Sequence, residues 1–420
     1  MTNRTFNLLA AGLVLLALLV RVYYVLVVQV VNPLGGDAFE YVNYAKHLMR
    51  GYFGSGEVSD AYRSPGYPLT VATAMLVGGD AWPRYLLIGQ AFMGAATVGL
   101  TIALARQWMP MWAALVAGLL LTLWPHHIAF TAEVLGEIEL GLCLTGALLL
   151  TVLTVERKSL WLGGAAGAAW AAAYLVNPIV ALLPVAIAAI HWRKDTRQAV
   201  LATLIPFILV AGLWSMRDAP GGSDRVWINL VQGSYPLYHR AYVSRNAHPE
   251  PARIMAQIDA ETTVMLKDKN AGGHAMAERL ASDLPASASW YASKAYLLWA
   301  WDVRISDAFG PYVHATKDSL LETVPLSLAM SITRTLNPII FGLALLSALY
   351  ALAKRAPAAG ILALSFAYFT AVHMVLQAEP RYSVPYRPIE LLLFVGAIAA
   401  ATRWFAATRK TGWAHGSERQ

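Results

Sequence analysis

Apolar positions in this chain fall in long unbroken runs, not in the alternation of a half-buried strand or the single apolar stripe of a soluble helix. A helix crosses hydrocarbon with roughly 17 to 25 mostly apolar residues, because its backbone hydrogen bonds close internally. By that measure the sequence predicts ten spans, near residues 8–31, 85–105, 111–125, 134–155, 160–176, 179–191, 199–216, 336–353, 358–376 and 385–402. Those beside Pro125 and Pro178 are short, so their ends are soft. The expected fold class is an all-α polytopic membrane protein with extra helices lying along its outer surface.

The run 68–77 is also apolar, and counting it as a crossing inverts everything after it. Charge decides the matter. With 68–77 kept outside, the loops carrying Arg106, Arg157 with Lys158, Arg193 with Lys194 and Arg197, and Lys354 with Arg355 all face the cytoplasm. Both termini join them, including the basic tail with Arg403, Arg409 and Lys410. Two long outer segments remain, 32–84 and 217–335, and function is expected there. The expected division is a transmembrane core (1–216), an outer segment (217–335) and C-terminal spans (336–420). In the outer segment, 290–301 and 320–330 are apolar stretches interrupted by Lys294 and Glu322, suited to the membrane interface.

Composition agrees with this reading. The 420 residues are 57% hydrophobic and 14% charged, against about a quarter charged in soluble domains. The net charge of +7 is accounted for by the short basic loops and needs no nucleic-acid partner. Cys143, the sole cysteine, excludes an intrachain disulfide and a Cys-rich metal site. The amino end resembles a signal peptide, but its apolar run continues past Arg21 without a small-residue cleavage site, so it is expected to stay as the first span. No P-loop or dinucleotide glycine fingerprint is present.

Candidate chemistry gathers at the outer ends of the spans. In GGDAFEYVNYAKHLMRGYF, Asp37, Glu40, Tyr41 and Tyr44 recur at helical spacing. A capped surface helix explains the two acids structurally. Functionally, carboxylates at the mouth of an apolar bundle sit in a lowered dielectric suited to a base, and Asp37 is the candidate. In AYRSPGYPLT, Tyr62 and Arg63 precede Pro65, Gly66 and Pro68, a rigid turn that holds a guanidinium either for a phosphate or for lipid headgroups. WPHHIAFTAEVLGEIELG brings His126, His127, Glu133 and Glu137 near the outer face, where carboxylates are costly unless used. Glu133 serves equally as a cap for the next span. The adjacent histidines point apart, which favours interfacial hydrogen bonding over zinc. Arg381 and Tyr382 in EPRYSVPYRP, and Arg217 at the end of the seventh span, are anchors or ligands. Arg21, inside the first span, is expected in a buried structural pair.

A first span ending in Arg21, Tyr23 and Tyr24, followed by GDAFEYVNYA and then RSPGYPL, resembles the dolichyl-phosphate-mannose protein mannosyltransferase superfamily (glycosyltransferase family 39-like). Its bacterial members include lipid A aminoarabinose transferases. The resemblance continues through AAAYLVNPIVALLPVAI, GLWSMRDAPGG and EPRYSVPYRPIELLL, in order over most of the chain. Asn177 departs from it, since many relatives carry a basic residue before that proline, and 218–288 has no counterpart. The resemblance implies a C-type glycosyltransferase of the bacterial inner membrane, with its site facing the periplasm. It further implies a polyprenyl-phosphate-linked sugar as donor, an acceptor that is lipid, protein or glycan, and inversion at the sugar. Asp37 falls on the family's catalytic aspartate, with Glu40 and Glu137 as accompanying acids. Tyr41, Tyr62, Arg63, Arg217, Arg381 and Tyr382 would bind substrate. No cofactor and no stable protein-only metal site are expected, and assistance by a divalent ion is left open. The rivals are a lipid-carrier flippase or secondary transporter, which tends to show repeated halves and midplane breaks, and a non-catalytic scaffold.

Overall fold

The computed structural model describes residues 1–54, 56, 60, 62–217, 224–246, 248–303, 315–354 and 356–416. Arg355 and the start of the 218–288 segment lie outside the described residues. Helix dominates, as expected. Helix α1 (Asn3–Val27) leads through a short strand, β1 (Gln29–Val30), to α2 (Asp37–Met49), α3 (Gly66–Gly78) and α4 (Trp82–Ala105). Gly36, at φ 57° and ψ −128°, makes the turn into α2 in a region closed to side-chain-bearing residues, and so fixes Asp37 at the first helical position.

The apolar run 68–77 is α3, and it does not continue α4. Gly78 packs on the Tyr85 side chain and Tyr67 Oη donates to Gln90 at 2.8 Å, so the two helices form an antiparallel hairpin turned at Gly79 (φ 53°). Thirteen residues rise only about 20 Å, less than the roughly 30 Å of hydrocarbon. Ala38, Val42 and Ala45 of α2 seal against Tyr67, Val71 and Ala72 of α3, which leaves the opposite face of α2 to the site.

Next come α5 (Met111–Thr122), α6 (Pro125–Ala129), α7 (Glu137–Arg157), α8 (Leu160–Val176), α9 (Leu183–Ile190) and α10 (Arg197–Ser215). The span expected over 111–125 is broken: α5 and the segment from Pro125 meet at 58°. Pro125 has no N–H for the Leu121 carbonyl. Arg21 takes that place, donating to the Leu121 and Thr122 carbonyls at 3.1 and 3.3 Å and to His127 Nδ1 at 2.9 Å. The expected buried pair of Arg21 is thus corrected, because its partners are the Ala17 carbonyl of its own helix at 3.1 Å, two frayed helix-end carbonyls and an imidazole. His126 and His127 are fully buried and not interfacial; the His126 ring stands 4.4 Å edge-on to Trp301. Prolines 178 and 184 also split the span expected over 179–191 into a 3₁₀ turn and α9. Against α10, α8 packs at backbone distance, with Gly163 and Gly167 lying on the Ala199 and Thr203 carbonyls, a small-residue seam of the kind membrane helices use.

The outer segment folds as α11 (Asp224–Gly233), α12 (Tyr238–Ser244), α13 (Pro249–Lys267), α14 (Lys269–Ser282) and α15 (Leu284–Leu297) around Val231, Ala241, Met255, Ile258 and Met265. Lys294 is buried beneath it and donates to the Gly233 carbonyl at 2.9 Å and to the Leu376 carbonyl, tying this cap to the bundle. Strand β2 (Ala315–Lys317) pairs antiparallel with β1. A short α16 (Ser319–Glu322) precedes α17 (Val324–Lys354), α18 (Pro357–Val375) and α19 (Arg387–Gly416), the last entered through a 3₁₀ segment, Pro380–Tyr386. From Val324 onward the expected interfacial stretch at 320–330 and the span at 336–353 run as one helix of 31 residues. Ser331, Thr333 and Thr335 return their hydroxyls to carbonyls four residues back, so this polar stretch stays helical.

Among the described residues, seven stretches are long and apolar enough to cross a membrane, or eight with the bent pair, where the sequence predicted ten. The difference lies in α8, at 17 residues, and in the broken α9. Leu15, Leu19, Ile205, Leu209, Leu346 and Leu349 stay exposed on the bundle's outside, a surface that belongs in lipid. This is a multi-pass membrane protein.

Candidate active site

Five charged side chains from four parts of the chain form one ladder. Arg63 donates from Nε to Glu40 and from Nη2 to Asp37 Oδ1, both at 2.7 Å. Arg381 reaches Asp37 Oδ2 at 2.8 Å and Glu137 Oε1 at 2.7 Å. The order is Glu40, Arg63, Asp37, Arg381, Glu137, with the central carboxylate shared by two guanidiniums.

Each member is placed by its local sequence. Asp37 and Glu40 share one face of α2, one turn apart. The prolines after Arg63 hold its loop against α8, where Gly66 fits on the backbone of Leu175 and Val176. Glu137 opens α7, whose N-terminal dipole favours a carboxylate. Arg381 stands on the buried 3₁₀ turn before α19. Tyr41 and Tyr62 lie 5.0 and 5.6 Å from the Arg63 guanidinium, and the Tyr41 ring meets Tyr67 edge-on. Tyr382 stacks on His373 and donates to Gln377 at 2.9 Å.

Burial pushes the Asp37 carboxyl up, but Arg381 and Arg63 together outweigh it and hold the group well below the usual carboxylate range. Asp37 is therefore ionised, with a third of its side chain (34%) open to a cavity of about 740 Å³. Glu133 also lines this cavity and behaves oppositely. Burial pushes its carboxyl up to about 8, Arg381 opposing and Glu137 adding to the rise. Two acids of one cavity are thus pushed in opposite directions, Asp37 by its arginines and Glu133 by burial.

The cavity collects Asp37, Glu40, Tyr41, Tyr62, Arg63, Glu137, Arg381 and Tyr382. Arg217 is not among them. It donates to the Asp60 carbonyl at 2.6 Å and lies 3.9 Å from the Trp214 ring, bracing the first outer loop. The residues that sequence reasoning missed come from the cap. Arg225, Ile228, Asn229 and Gln232 of α11 face the cavity, joined by Tyr238, His239 and Tyr242 of α12 and by Arg245. Their spacing of three, four and seven along α11 was a signal of one common face. Among the described residues no group of three or more His, Cys, Asp or Glu stands at metal-holding spacing. The ladder acids spend oxygens on guanidiniums.

The fold is that of the C-type glycosyltransferases. The chain superposes on ArnT from Cupriavidus metallidurans bound to undecaprenyl phosphate with a TM-score of 0.52 at 13% identity, over 94% of this chain and 60% of that one. It superposes on the archaeal oligosaccharyltransferase AglB from Archaeoglobus fulgidus, in complex with an inhibitory peptide and a dolichol-phosphate, with a TM-score of 0.50 at 13% identity, over 96% and 52%. The chain thus spans between 52% and 60% of the length of these neighbours. No family model and no curated protein matches it.

Proposed function

We propose that this protein is a membrane glycosyltransferase that moves a sugar from a polyprenyl-phosphate donor to an acceptor in the cavity, facing the periplasm of a bacterial inner membrane. The observation that carries the reading is Asp37 clamped between Arg63 and Arg381 at 2.7 and 2.8 Å inside that cavity. The basic loops support the orientation, because Arg106 and Arg157 end α4 and α7 opposite the ladder and Lys158 pairs with Asp195 at 2.7 Å.

The ladder is a resting state. Two guanidiniums hold Asp37 ionised but make it a weak base. A donor phosphate competes for their N–H groups, and each contact it takes lets Asp37 recover basicity. The acceptor hydroxyl then attacks the anomeric carbon from the face opposite the phosphate. The new C–O bond forms as the sugar–phosphate bond breaks, with inversion, and the hydroxyl proton passes to Asp37. Polyprenyl phosphate leaves with one more negative charge, which Arg63 and Arg381 stabilise as it develops. Asp37 then releases its proton to water or to the departing phosphate.

Asp37→Asn tests this. The amide keeps the shape, and Asp37 makes no cap hydrogen bond to lose, but the amide cannot act as a base, so turnover should fall by about 10² to 10⁴ with the fold intact. The assay uses purified protein, a labelled polyprenyl-phosphate sugar and a membrane-extract acceptor, and reads the new glycosidic bond. Near-normal turnover by the variant rejects Asp37 as base. Carrier crossing vesicles with no bond formed points instead to a flippase.

A further inference from the structure

The cavity has a second wall whose chemistry the donor does not use. Arg63 and Arg381 already provide two guanidiniums for a single phosphodiester. On the cap side, Arg225 at the start of α11, near enough to Asp37 to help keep it ionised, and Arg245 at the end of α12 also line the cavity. Neither has a carboxylate within ion-pair distance among the described residues, whereas both ladder arginines do. Arg225 lies 6.0 Å from the Tyr62 ring centre, and Arg245 lies 4.0 Å from that of Tyr242 and donates to its carbonyl at 2.6 Å. Tyr238 continues the aromatic surface, 5.9 Å from Tyr242.

We infer that this cap wall is a subsite for an acidic saccharide, the acceptor of the transfer proposed above, on which reading the inference rests. Tyrosine faces offer flat apolar surfaces for the C–H faces of a sugar ring, and the α11 amides of Asn229 and Gln232 suit its hydroxyls. The arginine forks match a planar carboxylate or a phosphate substituent. Half-buried guanidiniums held over rings keep their unused N–H groups toward the cavity and lose little freedom on binding. A neutral glycan or a plain alcohol offers these two cations no counterion.

Binding tests this independently of transfer. Saturation-transfer NMR on the full chain in nanodiscs would compare a glucuronate-terminated disaccharide, its 6-phosphorylated counterpart and the neutral disaccharide. At least one acidic ligand should bind tenfold tighter than the neutral one, and which one does so separates carboxylate from phosphate. Arg225→Gln with Arg245→Gln should abolish the preference, and the paired Lys variants should restore part of it. Asp37→Asn should keep it, so a failed transfer assay leaves this result standing. Undecaprenyl phosphate should bind the Gln pair normally. Equal binding of acidic and neutral sugars, or an acidic preference surviving in the Gln pair, overturns the inference. So does loss of undecaprenyl phosphate binding in the Gln pair, since these arginines then belong to the donor.

Discussion

Arg381 and Arg387 sit six residues apart on the approach to the last helix, yet they hold charge in contrasting ways. Arg387 bonds Glu390 at 2.6 Å, the Ala300 carbonyl at 2.9 Å and the Trp299 carbonyl at 3.2 Å, and both members of the pair are sealed (1% and 0% exposed). Arg381 shares its fork between Asp37 and Glu137 at the edge of an open cavity. A sealed pair cannot exchange partners, because no other counterion can reach it. An open ladder can. The same side chain is therefore locked in one place and has a cavity beside it in the other, with access as the deciding variable.

The sealed pair is the place to break that contrast most severely. Arg387→Met strands Glu390 in an apolar setting and should cost about 3–5 kcal/mol, seen as a large drop in apparent Tm. Arg387→Met with Glu390→Leu should recover most of it. A double variant as unstable as the single would make the two arginines alike. Next in size is the ladder: Arg63→Ala or Arg381→Ala should weaken polyprenyl phosphate binding by about 1.5–3 kcal/mol with only a small change in Tm. Lys restores charge but not the fork, so rescue should be partial. Unaltered donor affinity in both Ala variants would relocate the phosphate site.

A last test concerns Glu133, which makes none of the ladder's ion pairs. Its folded carboxyl titrates near 8 against an ordinary 4.5, so between these values the folded state keeps a proton that the unfolded state has released. Stability should therefore decline as pH rises from about 4.5 to 8 and level off above. Glu133→Gln should flatten this contribution in a Tm–pH series. An unchanged slope would show that Glu133 is already ionised.

Most of this architecture was legible because lipid enforces simple rules. Helical content, the first span and the helix bearing Asp37 follow from apolar run length and three-to-four spacing. Arg63 stood out as an arginine beside a rigid proline turn, and Arg381 through the resemblance carried by EPRYSVPYRP. What the sequence could not convey was contact. Arg21 finds carbonyls because a proline breaks a different helix, and no linear pattern encodes that encounter. Arg217 resembled Arg381 in position and differs only in what packs beside it. The cap helices α11 and α12 carried a readable face, but nothing local said that it looked onto a cavity.

The ladder also sets a schedule. Asp37 and Arg381 are 344 residues apart, so the nascent chain exposes its central carboxylate long before the second guanidinium has been made. The β1–β2 pairing, which joins Gln29 to Lys317, closes its own long loop first. Domains fold during synthesis roughly in the order in which their parts emerge. A chain halted just before Arg381 therefore lacks α19 and one of the two guanidiniums that hold Asp37. The ladder therefore closes only when the last helix has been made.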